Sequence, residues 1–327
     1  MAEPLRIGTL GAARITPMAL LRPAARVPEA TVTAVAARDA ARAAAFARKH
    51  GIPRVFDSYD ALLADPAIDA VYNPLPNGLH AAWTIRALRA GKHVLCEKPL
   101  AANADEASGM ADAARETGRV LMEAFHWRHH PLATTLRRIV DDGELGTVRH
   151  VEATMCIPLP LPRDIRYRWD LAGGATMDTG CYTISIVRHL AGAEPTVVRA
   201  EHRAFGEQID RWMTADLRFA DGRTGRITCA LLSRTLVKLQ AIVRGDRGEL
   251  RVLNPVLPHF FHRVTVATKD GVRRFRVPGE PTYVHQLRDF VAAVRGAPLR
   301  WGPEDGVANM RVIDAVYAAA GLKPRST

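Results

Sequence analysis

The pattern of apolar runs changes near residue 145, and that change limits the chain to few architectures. Before it, strand-like segments at 5–10, 31–37, 70–75, 93–96 and 120–125 alternate with helix-like segments at 18–27, 39–50, 77–90 and 104–117. Gly51, Gly91 and Gly118 each stand just past a helical segment, and Asn77 reads as an N-cap. Strands and helices alternating over short connections imply parallel βαβ units with helices on both faces of a sheet. Beyond residue 145 the segments 148–157, 196–205, 212–219, 223–232, 236–244, 249–253, 264–268 and 272–277 all read as strands. Asp221-Gly222 and Asp270-Gly271 supply hairpin turns. One helix, at about 175–190, interrupts this series, and two more, at 284–295 and 304–320, follow it. The expected class is α/β: a doubly wound parallel sheet over 1–126, then an α+β domain with a mostly antiparallel open sheet over 127–327. The C-terminal helices have the option of packing back on the first domain.

Composition agrees with two globular domains in 327 residues, at 48% apolar and 24% charged. The longest stretch without an acidic or basic residue, 70–85, is broken by Asn73, Pro74, Pro76 and Gly78, so no membrane span is expected. Residues 1–25 lack the layout of a secretory signal. Net charge is +11, but the basic residues are spread along the chain and nearly all are arginine: 39 against six lysines. Without a basic block, a solvated basic surface is expected rather than a nucleic-acid partner. Cys96, Cys156, Cys181 and Cys229 form no Cys-x-x-Cys pair, so neither a zinc site nor a disulfide framework is expected. These features together predict a cytoplasmic protein.

The first strand ends in Gly8-Thr9-Leu10-Gly11-Ala12-Ala13-Arg14-Ile15-Thr16. Of a G-x-G-x-x-G dinucleotide fingerprint only Gly11 remains. Ala13 is still small enough for a pyrophosphate to approach, and the following helix start offers free N–H groups. The segment is therefore expected to bind a dinucleotide, which makes the first domain a Rossmann domain. The second strand ends Ala36-Ala37-Arg38-Asp39. An acidic residue there would accept the ribose hydroxyls of NAD; Ala37 followed by Arg38 suits the 2′-phosphate of NADP. The alternative is that Arg38 is one of many surface arginines and Asp39 simply caps a helix.

Two further segments end parallel strands, where open α/β sheets bind ligands: Pro74-Leu75-Pro76-Asn77-Gly78-Leu79-His80 and Glu97-Lys98-Pro99. With these segments the chain resembles the Gfo/Idh/MocA oxidoreductases. The segment Glu123-Ala124-Phe125-His126-Trp127-Arg128-His129-His130-Pro131 resembles that family's segment after the sixth strand. Gly173-Gly174-Ala175-Thr176-Met177-Asp178-Thr179-Gly180-Cys181-Tyr182 resembles its Gly-Gly-Ala-x-x-Asp-x-Gly-x-(His/Tyr) motif, and 304–314 its C-terminal helix. Tyr182, where other members have His, is similar to the branch of dihydrodiol dehydrogenases, NADP-xylose dehydrogenases and deoxysugar ketoreductases. Ala172 departs from the pattern, since a third Gly often stands there.

The resemblance implies hydride transfer between NAD(P) and a sugar-like or cyclic alcohol or ketone, with NADP favoured. It gives Lys98 and Tyr182 proton transfer and substrate-oxygen binding, with a cis peptide bond expected at Lys98–Pro99. Asp178, four residues before Tyr182, is the third catalytic candidate. Gly11, Ala12, Ala13, Arg14, Ile15, Ala37, Arg38, Pro74, Leu75, Asn77, His80, Glu97 and Lys98 are the cofactor candidates. Arg166, Tyr167 and Trp169, in an Arg/aromatic loop, are expected at the substrate, with His126 and Trp127. Glu123 with His126, His129 and His130 has metal-ligand residue types, but the resemblance requires no metal. A homodimer or dimer of dimers through the open sheet is expected, partly from the alternating apolar residues of 223–232. The alternative function is a catalytically silent dinucleotide-binding regulator or sensor.

Overall fold

The computed structural model describes residues 3–326. They fall into two compact units: residues up to His126 with Tyr283–Val307, and Trp127–Thr282 with the chain from Ala308 onward. Among the described residues no helix is long and apolar enough to cross a membrane, and the four cysteines are buried and unpaired.

In the first unit β1 (Leu5–Leu10) leads through a π-helical turn (Pro17–Leu21) and the short α1 (Arg22–Ala24) to β2 (Ala30–Ala36) and α2 (Ala40–His50). A three-residue strand β3 (Arg54–Phe56) and helix α3 (Tyr59–Ala64) follow, neither marked by the sequence pattern because both are short. Next come β4 (Ala70–Asn73), α4 (His80–Arg89), β5 (His93–Cys96), α5 (Ala104–Thr117) and β6 (Leu121–Glu123). The six strands pair in parallel in the order β3-β2-β1-β4-β5-β6. The order reverses beside β1 and β4, the place where such sheets leave a crevice at the carboxyl ends of the strands. Tyr283, Val284, Leu287, Phe290 and Val291 join Leu5, Ile7, Tyr72, Leu95 and Met122 in one apolar core. The helix at 283–294 therefore does pack back on the first sheet.

The second unit opens with α6 (Pro131–Asp141), a helix not among those expected above; His130 caps it, its Nδ1 accepting the Leu132 N–H at 3.1 Å. Then come β7 (Val148–Cys156), a second π-helical segment (Thr176–Gly180) and α7 (Cys181–Ala191). The remaining strands are β8 (Pro195–Phe205), β9 (Ile209–Phe219), β10 (Thr224–Ala230), β11 (Lys238–Gly245), β12 (Gly248–Leu253), β13 (Arg263–Thr268) and β14 (Gly271–Phe275). α8 (Thr282–Val294) and α9 (Pro303–Ala319) close the order of elements. The eight strands form one sheet, β14-β13-β12-β11-β7-β10-β9-β8, antiparallel throughout except for the β7–β10 pair.

Helix α7 is buried along almost its whole length and packs on β7 and β10. The alternating apolar residues of β10, Ile227 and Cys229, are fully buried, and Cys229 meets Thr176 of the π segment. This corrects the expectation that they form a dimer face: alternation marks one covered face but cannot say what covers it. The other face carries His150, Glu152 and Thr154 paired across from Thr224, Arg226 and Thr228. It is laced by Arg226–Asp216 at 3.0 Å and Arg244–Glu152 at 3.4 Å, and holds a shallow depression of about 380 Å³.

Candidate active site

The turn after β1 is held tight by the backbone of Gly11 and by hydrogen bonds from two sides. Gly11 has φ +91°, a region that side chains rarely enter, and a Cβ there would press on Leu75 at 3.2 Å. The Gly11 N–H donates to Ala36 O at 2.6 Å, and Arg42 Nη2 from α2 donates to Ala12 O at 3.0 Å. Ala12 is buried, Ala13 and Ile15 are half-buried, and Arg14 is exposed. The end of β2 puts Ala37 inside and Arg38 outside. Among the described residues Arg38 makes no ion pair, although its charge acts on the Tyr59 hydroxyl. Asp39 caps α2 by accepting the Arg42 N–H at 3.0 Å. Asp39 is thus a helix cap, and Arg38 is an exposed cation beside it. Arg42 and Tyr59 are near neighbours of Arg38 that motif spacing did not single out.

His80 joins the two loops that follow β4 and β5. Its Nδ1 is 2.8 Å from Pro99 O and its Nε2 is 2.7 Å from Leu75 O. A neutral ring donates to only one of these carbonyls, so the pairing by itself favours the charged ring. Full burial opposes this, with Lys98 adding to it, and the ring pKa is pushed down to about 4. Burial prevails because an enclosed charge costs more than one ill-directed lone pair. His80 therefore ties the loops after β4 and β5 to each other through one neutral, buried ring. Helix α4 starts at His80 and not at Asn77, because a tight turn closed by Leu79 N–H to Pro76 O (2.8 Å) precedes it. Buried Asn73 steadies the same loop, accepting the Leu75 N–H at 3.3 Å and donating to Thr84 at 3.1 Å. Pro74 is buried and Leu75 and Asn77 are half-buried.

After β5, Tyr72 donates its hydroxyl to Glu97 Oε1 at 2.8 Å, and Glu97 N–H donates to Asn73 O at 3.0 Å. Burial and the neighbouring Glu97 carboxylate hold the Tyr72 hydroxyl well above its ordinary pKa, so it stays a donor. Lys98–Pro99 is cis, and Glu97 and Lys98 are both half-buried. His126 is enclosed, its ring 4.1 Å from that of Tyr283.

In the second unit the two glycines are explained by what presses on them. A Cβ at Gly173 would lie 2.6 Å from Arg166 O and 2.8 Å from Arg168 O. Gly174 has φ +138°, and a Cβ there would meet Arg325 Nη2 and Tyr317 Oη at 2.8 Å. Ala172, where a third Gly often stands, occupies the left-handed region at φ 54°, a conformation that costs a non-glycine residue roughly 1–2 kcal/mol. From this turn the chain enters the π-helical segment that carries Asp178, then α7 with buried Tyr182. π-helical turns interrupt helices mainly at functional positions.

Asp178 Oδ2 is 3.0 Å from Arg166 Nε, and Arg166 Nη1 is 3.0 Å from buried Asp164. Arg166 thus serves two carboxylates of its own chain, and these hold its guanidinium pKa above the ordinary arginine value. Tyr167 is buried, donating to Leu159 O at 2.8 Å with its ring 4.6 Å from Phe205. Trp169 is half-buried, 4.7 Å from the Arg325 guanidinium. Trp127 is enclosed, edge-on to His189 at 5.3 Å. Asp210, Tyr317 and Arg325, which back the glycine turn, carry no motif that could have announced them.

A six-stranded parallel sheet whose first loop excludes a side chain at Gly11 defines a dinucleotide-binding protein. Residues 5–125 match the oxidoreductase family with an NAD-binding Rossmann fold, Gfo/Idh/MocA, and residues 133–251 match the GFO/IDH/MocA C-terminal domain. The chain belongs to the Gfo/Idh/MocA family and is an oxidoreductase with a nicotinamide-dinucleotide domain. It is 37% identical over 318 residues to D-xylose 1-dehydrogenase (NADP(+)) 2 of Haloferax volcanii, covering 97% of each chain. To the dTDP-3,4-didehydro-2,6-dideoxy-alpha-D-glucose 3-reductase of Streptomyces violaceoruber it is 47% identical over 332 residues, covering 97% of this chain and 96% of that one. A 3-ketoreductase of Actinomadura kijaniata, solved in complex with NADP and TDP-benzene, superposes with a TM-score of 0.90 at 34% identity, covering 97% of this chain and 98% of that one.

Proposed function

We propose that this oxidoreductase transfers hydride between NADP and a sugar-like or cyclic alcohol or ketone, with Tyr182 moving the proton and Lys98 assisting it. The observation that carries this reading is the likeness, over nearly the whole chain, to two sugar-acting enzymes and an NADP-bound ketoreductase. The alternative of a silent sensor finds no support among these relatives.

The residues fit the cofactor. Gly11 to Ile15 leave room for the pyrophosphate, and Ala37 with exposed Arg38 suits a 2′-phosphate and offers no carboxylate to ribose hydroxyls. Leu75, Asn77 and Glu97 line the loops that His80 and Tyr72 hold in place. Bound nicotinamide supplies or accepts the hydride; the protein must handle the proton that accompanies it. A tyrosine hydroxyl, ordinarily titrating near 10, needs a cation to act near neutrality, and an ammonium such as that of Lys98 provides one. Asp178, held by Arg166, is suited to accept a substrate hydroxyl. Trp169 offers a flat apolar face to a sugar ring. Cytoplasmic location, and self-association through the open face of the eight-stranded sheet, belong to the same reading; light scattering at micromolar concentration tests the second.

The deciding experiment follows reduced-nicotinamide absorbance over a panel of ketosugars and cyclic polyols. Tyr182→Phe keeps the ring and removes one hydroxyl, so kcat should fall about 10²–10⁴-fold with NADP affinity unchanged. Lys98→Met should cost at least as much, and the double variant much less than the product of the two losses. A Tyr182→Phe enzyme that keeps more than half its kcat, with the same pH profile, would remove Tyr182 from the reaction.

A further inference from the structure

We propose that Arg325 is a positioning residue for this oxidoreductase: with Asp210 it sets the turn from which the helical segment bearing Asp178 and Tyr182 departs. The inference rests on the role given to Tyr182 above. Arg325 lies in the irregular chain that follows α9, yet its side chain is fully buried. Its Nε donates to Gly173 O at 2.7 Å, its Nη2 to Asp210 Oδ1 at 2.9 Å and its Nη1 to Lys323 O at 3.2 Å. The guanidinium stands 4.0 Å from the ring centre of Tyr317 and 4.7 Å from that of Trp169.

Asp210 is held as completely. Its Oδ1 also accepts the Tyr317 hydroxyl at 3.0 Å, and its Oδ2 accepts the Thr176 N–H at 2.7 Å and the Thr176 hydroxyl at 2.6 Å. These bonds fall on both sides of Gly174, the residue with φ +138° where the loop becomes helix. Arg325 holds Gly173, Asp210 holds Thr176, and the ion pair closes the bracket between them. The next backbone bond, Asp178 N–H to Gly174 O at 3.0 Å, ties Asp178 to the bracketed residue. Arg166 O accepts the Gly174 N–H at 2.8 Å, while its guanidinium holds the Asp178 carboxylate. A shift of this turn therefore moves Asp178, its Arg166 partner and the start of α7 together.

Stability alone is a weak reason for such an arrangement, because apolar residues commonly replace a buried ion pair without loss. What the pair supplies is direction: a planar fork joins a carbonyl to a carboxylate in a way that neither an ammonium nor a methylene chain can reproduce. Displacing reacting groups by about 1 Å costs on the order of 10²-fold in rate.

The test compares Arg325→Ala and Arg325→Lys with wild type on whichever substrate the wild type turns over, at 25 °C and with NADP sites counted by fluorescence titration. In both variants kcat per NADP site should fall by more than about 5-fold, NADP affinity should hold, and the rising limb of the oxidative pH profile should move, because Tyr182 is displaced. Should Arg325→Ala fail to fold, Arg325→Lys, which keeps the charge but not the fork, decides alone. A smaller loss, or a profile that superimposes on wild type after scaling, would overturn the inference and leave Arg325 a stability residue. A wild type with no activity counts against the functional reading instead. Amide exchange over 174–182 then decides the role of Arg325, which requires faster exchange in Arg325→Lys.

Discussion

Replacing Gly173 by Ala tests why the glycine pair is there. The added methyl lies 2.6 Å from Arg166 O and 2.8 Å from Arg168 O. Both obstacles are backbone atoms, so no side-chain rotation relieves them. The same two carbonyls accept the Gly174 N–H at 2.8 Å and the Gly173 N–H at 2.9 Å. To admit the methyl, the loop must part from the turn and give up these bonds, each contributing about 0.5–1.5 kcal/mol. Overpacking adds about 1–3 kcal/mol. The sum is about 2–6 kcal/mol, and at its middle the melting temperature should drop by roughly 8–16 °C for a unit of this size. Gly109→Ala is the control. Gly109 lies within α5, where a Cβ meets only Ile85 Cδ1 at 3.9 Å. Alanine there should stabilise the helix by about 0.5–1 kcal/mol. Thermal melting followed by circular dichroism measures both variants. A Gly173→Ala protein melting within about 2 °C of wild type, under the conversion used above, would show that the loop yields easily and that the steric account of the motif is wrong.

Two further outcomes are expected. Arg38→Ala should weaken NADP by about 10- to 150-fold, the equivalent of one charge-assisted bond of about 1.5–3 kcal/mol, and leave NAD unchanged; equal losses in calorimetric titrations of the two cofactors would make Arg38 structural. His80 takes up a proton near 6.5 when unfolded but only near about 4 when folded, so the unfolded chain binds more protons between those values. Stability should therefore decline as pH falls through that window, by about 3 kcal/mol in all. Urea unfolding of wild type and His80→Gln at several pH values measures this, and equal pH slopes in the two would refute it.

Much of this protein was legible in order along the chain. Strand and helix repeats are local, and alternation over the first 126 residues leaves little but a parallel sheet. All eight strands of the second sheet were legible as strand segments, two of their turns marked by Asp-Gly. Gly11, Arg38, Lys98, Asp178 and Tyr182 stood out because they occupy fixed offsets from strand ends or from the glycine pair. The elements β3 and α3 are too short to carry a period; helix α6 does carry a helical apolar stripe, Leu132, Ala133, Leu136 and Ile139, which the reading of 123–131 as one motif segment passed over.

What the sequence by itself determined is most of the elements, the family and the residues that carry its motifs, since these depend on neighbours a few positions away. Only the tertiary structure decided what those residues touch. It turned the apolar side of β10 toward α7 and left threonines and ion pairs on the other. It joined His80 to two loops, paired Asp178 with Arg166, and set Asp210 and Arg325, 115 positions apart, against Gly174. No pattern of period two or 3.6 connects residues so far apart. Their partnership exists only once the chain has folded and excluded water from the charge between them.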